Sequence, residues 1–186
     1  MIQNLYTLYG ADAEINSHDS FLTALSGIMS KGNYMNWFNI YGFGIVCILM
    51  IPNIIYAKKC PEGFENLWQN KIVEILEQVG RFGCFSFMIF NIPGTCFGFE
   101  SDKALALYLI VNGLLLAAYC IIWAVCFWSN GMFRAVALSV IPSVLFLFSG
   151  VVSHSILLII FAVIFAPMHS LISCRNASLS SEKKDK

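Results

Sequence analysis

Between Arg134 and Arg175 the chain carries no Lys, Arg, Asp or Glu for about 40 residues. As one helix this stretch would be about 60 Å long at 1.5 Å per residue. A bilayer's hydrocarbon core is only about 30 Å thick. The stretch is therefore predicted to fold back once, at its one polar break, Ser149-Gly150-Val151-Val152-Ser153-His154-Ser155. This gives one span over 134–149 and another over 156–173.

Three further apolar runs precede it, over 37–57, 79–99 and 104–128, bounded by Lys58-Lys59, Arg81, Asp102-Lys103 and Ser129-Asn130-Gly131. Of the 186 residues, 58% are hydrophobic and 12% charged, against roughly 45–50% and 25% in a soluble domain. A chain so poor in charge cannot keep a solvated surface. A cytosolic enzyme, a nucleic-acid binder and a disordered tail protein are excluded. Eleven basic residues balance eleven acidic ones, so no charge excess awaits a polyanion. The fold class expected is an all-α, polytopic membrane bundle of five transmembrane helices over 36–175. It follows an N-terminal segment, 1–35, in which 21–29 forms a short interfacial helix, and precedes a disordered polar tail over 176–186.

Orientation follows from charge. With the loop between the first two spans inside, Lys58, Lys59, Lys71, Arg134, Arg175, Lys183, Lys184 and Lys186 face inward, Lys31 and Lys103 face outward, and Arg81 sits at the inner boundary. That bias places the N-terminus outside and the C-terminus inside. No basic n-region precedes the first apolar run, so the first span is expected to serve as its own insertion signal.

Ionisable groups at membrane depth are candidate functional residues, and here they cluster. On a helix Glu74, Glu77 and Arg81 fall within about 60° of one another, and Glu77 precedes Arg81 by four, the favourable order for an ion pair. Asn70, Phe85, Met88 and Asn91 extend the same face. Two readings stand side by side. The cluster is a ligand or ion site in the inner half of the bundle, or Arg81 simply neutralises Glu77. Asn112 is the strongly polar side chain in the middle of the third span, with Tyr108 and Tyr119 on nearly its face, and is read as an interhelical hydrogen bonder or a ligand contact. His169, near the inner end of the fifth span, is close enough to meet Glu77. The candidate ligand-binding residues are thus Glu74, Glu77, Arg81, Asn91, Asn112 and His169.

Pro52, Pro93, Pro142 and Pro167 lie in four of the five runs. Each removes a helix hydrogen bond. An interrupted helix is expected at Asn91-Ile92-Pro93-Gly94, where freed carbonyls must meet protein or water, with Gly94 and Gly98 as a candidate helix-contact patch. The seven cysteines form no C-x-x-C and read as small apolar core residues. His154 and His169 fall at opposite faces, and no metal site, phosphate loop or catalytic motif is assigned. No cofactor can be read from the sequence.

The stretch from Asn53-Ile54-Ile55-Tyr56-Ala57 through Arg81-Phe82-Gly83-Cys84 and Phe90-Asn91-Ile92-Pro93, with Ile141-Pro142-Ser143, resembles a group of small bacterial multi-pass membrane proteins that carry no assigned function. The resemblance implies a bacterial inner membrane and no activity. A second likeness is to the eicosanoid and glutathione membrane-enzyme family, whose cytoplasmic loop after the first span carries Arg, Asn and Glu. Asn66, Asn70 and Glu74 echo that spacing, the arginines are missing, and that activity is not adopted. Three roles remain open. The first is a ligand-binding or transport component, with membrane lipid or a small molecule as ligand and a second copy or another membrane protein as partner. The second is a membrane-embedded enzyme using Glu74, Glu77 and His169 on a lipophilic substrate. The third is an accessory protein without a ligand.

Overall fold

The computed structural model describes residues 37–60, 66–128 and 131–184. Among these residues lie five helices: α1 (Ile40–Lys59), α2 (Lys71–Ile89), α3 (Asp102–Val125), α4 (Met132–Val152) and α5 (Ile156–Lys184). Four of them, α1, α3, α4 and α5, are long and apolar enough to cross a membrane. The chain is an all-helical, multi-pass membrane protein. The expected segment 1–35, with its interfacial helix, lies outside the described residues.

Local chemistry sets the helix starts. Asn39, Asn70 and Ser101 each accept a backbone N–H from three residues on, Gly42 at 3.1 Å, Val73 at 3.3 Å and Ala104 at 3.3 Å. These caps satisfy donors that the first helical turn leaves open. Arg134 does the converse for α3, donating from Nη1 to the carbonyls of Cys126 and Phe127 at 3.3 and 3.1 Å. At the turn between α4 and α5, Ser153 N–H donates to Ser149 O at 3.0 Å, Ser155 N–H donates to Gly150 O at 2.9 Å, and His154 takes a positive φ of 49°. The fold-back thus falls within the polar break expected.

The helices form a closed ring in the order α1, α2, α5, α4, α3. Helices α2 and α5 approach closely where Gly80 lies on the backbone of Phe165 and Gly83 on the ring of Phe161. Between α3 and α4 a buried polar pair holds register: Ser149 Oγ donates to Asn112 Oδ1 at 3.0 Å, and Asn112 Nδ2 donates to the Tyr108 carbonyl at 2.9 Å. Asn112 is completely buried.

Three expectations change. The apolar run predicts a second helix over 79–99, but α2 starts eight residues earlier and ends at Ile89. Asn70 caps it, and an outward apolar stripe begins at Ile72, so Arg81 lies about 15 Å from the Lys71 end and about 12 Å from the Ile89 end. It sits near the middle of the helix instead of at a boundary. Beyond Ile89, the apolar run 90–99 is not helix. Asn39 N–H donates to Ile89 O at 2.7 Å and Asn91 N–H to Trp37 O at 2.8 Å, which ends the helix against the start of α1. Pro93 sits in the turn that follows, and Gly94 and Gly98 have φ of 83° and 77°, a left-handed conformation that glycine adopts freely. Gly94 lies in that turn and Gly98 in the non-helical chain beyond it, so they are not a helix-contact patch, while α1, α4 and α5 run unbroken through Pro52, Pro142 and Pro167.

The third change is at the C-terminal side, where 176–186 was expected to be disordered. Helix α5 continues to Lys184. Trp68 N–H donates to Asn176 Oδ1 at 3.0 Å, Arg175 lies 6.0 Å over the Trp68 ring, and Ala177 is buried. Packing against 66–68 gives the polar extension a partner that its composition does not reveal.

Candidate functional site

A cleft of about 840 Å³ opens at the end of the bundle where α1 and α3 finish and α2 and α4 begin. Every helix lines it: Asn53 and Tyr56 from α1; Glu74, Glu77, Gln78 and Arg81 from α2; Tyr119 and Trp123 from α3; Arg134 from α4; His169 from α5.

Glu77 is the anchor. Only 2% of it is exposed. Its Oε1 accepts from Arg81 Nη2, one helical turn on, and lies 2.9 Å from His169 Nδ1, 92 residues away in sequence. A buried carboxylate requires such partners, because an uncompensated charge away from water costs several kcal/mol, about 3–5 when a buried pair is broken. The His169 ring is held in turn by stacking on Phe165, centroids 4.6 Å apart at 17°. Phe165 is the residue against which Gly80 packs. The glycine contact and the polar contact therefore depend on one another: close approach of α5 to α2 brings His169 within reach of Glu77. Glu74, at the rim, accepts from the Asn66 amide.

The facing wall is aromatic. Tyr56 packs on Trp123 with centroids 4.9 Å apart, and the Arg134 guanidinium lies 4.3 Å over the Tyr56 ring and 5.0 Å over the Trp123 ring. Such cation–π contacts strengthen where water is excluded. Asn53 Nδ2 donates to the Leu49 carbonyl at 3.0 Å and to Tyr119 Oη at 2.8 Å. Among the described residues the buried Trp123 indole N–H has no acceptor in good hydrogen-bond geometry, and the Tyr119 hydroxyl one turn back is its loose partner.

Of the six residues singled out from sequence, Glu74, Glu77, Arg81 and His169 come together in this cleft. Asn112 and Asn91 do not. Asn112 is absorbed by its bonds to Ser149 and the Tyr108 carbonyl. Asn91 lies beyond the other end of α2, where its Oδ1 accepts from Cys96 Sγ at 3.4 Å. The shortened helix explains the second case, because ending α2 at Ile89 removes Asn91 from its inward face. Sequence reasoning missed Asn53, Tyr56, Trp123 and Arg134 as lining residues. Asn53 carries a local signal, being a polar side chain next to a proline inside an apolar run. Tyr56 and Trp123 carry none, since an aromatic in such a run is by default packing.

No protein-family model, curated protein or solved structure matches this chain.

Proposed function

We propose that this protein is a five-span membrane protein that binds a small amphiphilic or polar ligand in the cleft formed by all five helices, as a binding or transport component. The observation that carries this reading is the buried Glu77 held by Arg81 and His169, with an open cleft above it. A bundle that needed only neutralisation could bury the pair and close over it. Here the pair borders about 840 Å³ of space, which falls within the roughly 300–1,000 Å³ of ligand pockets.

The fifth span is α2. Its length, 19 residues, or about 28 Å at 1.5 Å per residue, matches the hydrocarbon core. Its composition is charged, but the charge has a direction. Ile72, Ile75, Val79 and Phe82 face outward at 71, 62, 49 and 64% exposure, while Glu77 faces in. In water that stripe would be a large exposed apolar patch; in lipid it is at home. Five spans place the two ends of the chain on opposite sides, and the basic bias puts the cleft end inside. The resemblance to small bacterial membrane proteins supports an inner-membrane setting.

Topology is checked by cysteine labelling in a background free of native thiols. Ser101→Cys should react with an impermeant reagent in intact cells, and Ser180→Cys only after permeabilisation; outside labelling at position 180 rejects the five-span arrangement. The binding reading is checked by native mass spectrometry of the purified chain. A small-molecule or lipid adduct should be present in the wild type and lost in Ala135→Trp, which fills the cleft from α4. A bare mass for the wild type, or an adduct that survives Ala135→Trp, overturns the reading.

The membrane-enzyme alternative gains from one feature only, the His169–Glu77 contact, which resembles an acid–base pair. Because Glu77 is buried beneath Arg81, a substrate meets the guanidinium first. Binding is therefore favoured over catalysis.

A further inference from the structure

We propose that the ligand is an amphiphile with an oxyanion head, phosphate or carboxylate, which docks on Arg81 and enters sideways from the bilayer between α1 and α2. This rests on the ligand-binding reading above and names the class of ligand and its route.

The head follows from the balance of donors and acceptors. Among the described residues, Glu77 takes the Nη2 of Arg81, and a guanidinium has five N–H donors in a planar fork suited to oxyanions. The remaining donors have no protein acceptor, and the Arg81 side chain is 36% exposed where it lines the cleft. The Trp123 N–H, on the facing wall, is buried with the Tyr119 hydroxyl, one turn back, as a loose partner. Tyr119 Oη already accepts from Asn53, which leaves its own proton to donate. The Arg81 guanidinium and the Tyr119 hydroxyl thus border one space and call for an acceptor. Among the described residues, the two carboxylates of the cleft do not answer them. Glu77 is covered by Arg81 and His169. Glu74 is engaged by Asn66 at the rim, about 10 Å along the helix from Arg81 at 1.5 Å per residue.

The route follows from how α1 is held. Its hydrogen bonds and ring contacts with the α2 side lie at one end, Asn39 to Ile89, Trp37 to Asn91, and Phe38 on Phe90, with Gly42 beneath the Met88 carbonyl. Toward the other end α1 leans on α3, through Asn53 on Tyr119 and Tyr56 on Trp123 and Phe127. There α2 leans on α5, through Glu77 on His169 and Gly80 on Phe165. The two helices are drawn to different neighbours, and the cleft lies between them. Gln78, exposed on α2, marks the edge of that gap, and exposed Phe82 stands one turn further along. A head on Arg81 can therefore leave its chain among the lipid tails.

The test uses the full chain in phosphatidylcholine nanodiscs and three probes: dodecyl phosphate, inorganic phosphate and dodecyltrimethylammonium. Dodecyl phosphate should bind. Its affinity should fall at least tenfold in the double variant Glu77→Gln with Arg81→Met, and severalfold in Tyr119→Phe, which keeps the ring and remains informative if the double variant does not fold. A diazirine in the middle of the alkyl chain should cross-link to α1 or α2. Equal binding of inorganic phosphate rejects the amphiphile, a preference for the cationic amphiphile rejects the oxyanion, and cross-links confined to α4 and α5 reject the route. Unchanged affinity in both variants, or no binding of dodecyl phosphate, overturns the proposal as a whole. The broader cleft reading is judged separately, by whether the native adduct disappears in Ala135→Trp.

Discussion

Arg81→Met alone should destabilise the protein by about 3 kcal/mol or more, whereas Glu77→Gln together with Arg81→Met should recover most of that loss. The reason is asymmetry. Breaking a buried pair by removing one partner costs roughly 3–5 kcal/mol, because the other charge is left without compensation, while replacing both partners can be neutral. Glu77 is 2% exposed, and the guanidinium is its cover on the cleft side. Two effects hold the cost at the lower end. His169 stays 2.9 Å from the same carboxylate oxygen, and a stranded carboxyl can take up a proton instead of keeping its charge. The triple variant that adds His169→Phe to the double should unfold no more easily than the double by more than about 1 kcal/mol, since a neutral amide makes only an ordinary hydrogen bond. Thermal or denaturant unfolding in one detergent measures all three. A double variant as unstable as Arg81→Met would show that Arg81 holds the bundle by something other than its charge.

The parts of this arrangement legible in the sequence are those that local geometry decides. Glu77 and Arg81 meet because four residues make one helical turn. The return of the chain between Val152 and Ile156 follows from a run too long for one span with one polar interruption. Where direction matters, counting residues fails. The charges of Glu74, Glu77 and Arg81 mark the start of α2 as a boundary only if their orientation is ignored. The stripe Ile72, Ile75, Val79 and Phe82 carries the helix back to its Asn70 cap. The same blindness explains 90–99. Its apolar residues suit a span, but Pro93 and the two left-handed glycines suit a turn, and the backbone bonds to Trp37 and Asn39 decide for the turn. His169 reaches Glu77 from 92 residues away, a contact that only the approach of α5 to α2 creates.

That approach can be tested through Gly80. Its missing side chain allows the backbone of Phe165 to lie against α2; a Cβ built there would stand 2.9 Å from Phe165 N and Cα, closer than real atoms pack. Backbone cannot swing aside as a side chain can, so Gly80→Leu must push the two helices apart. Overpacking of this kind costs about 1–3 kcal/mol, and the value here should fall at the upper end because the obstructing atoms belong to a helix. Gly113→Ala on α3 is the matched control. Nothing lies within 4 Å of its added Cβ, so the change should leave stability equal or raise it by up to about 1 kcal/mol through helix propensity. The loss in Gly80→Leu should also reach the cleft. Phe165 carries the stacked His169 ring, so separating α5 from α2 lengthens the His169–Glu77 contact and loosens the carboxylate that positions Arg81. Dodecyl phosphate affinity should therefore fall in Gly80→Leu and stay at the wild-type value in Gly113→Ala, although neither residue lines the cleft. If Gly80→Leu unfolds like the wild type, α5 has another way to seat against α2, and the coupling of helix packing to the Glu77 anchor does not hold.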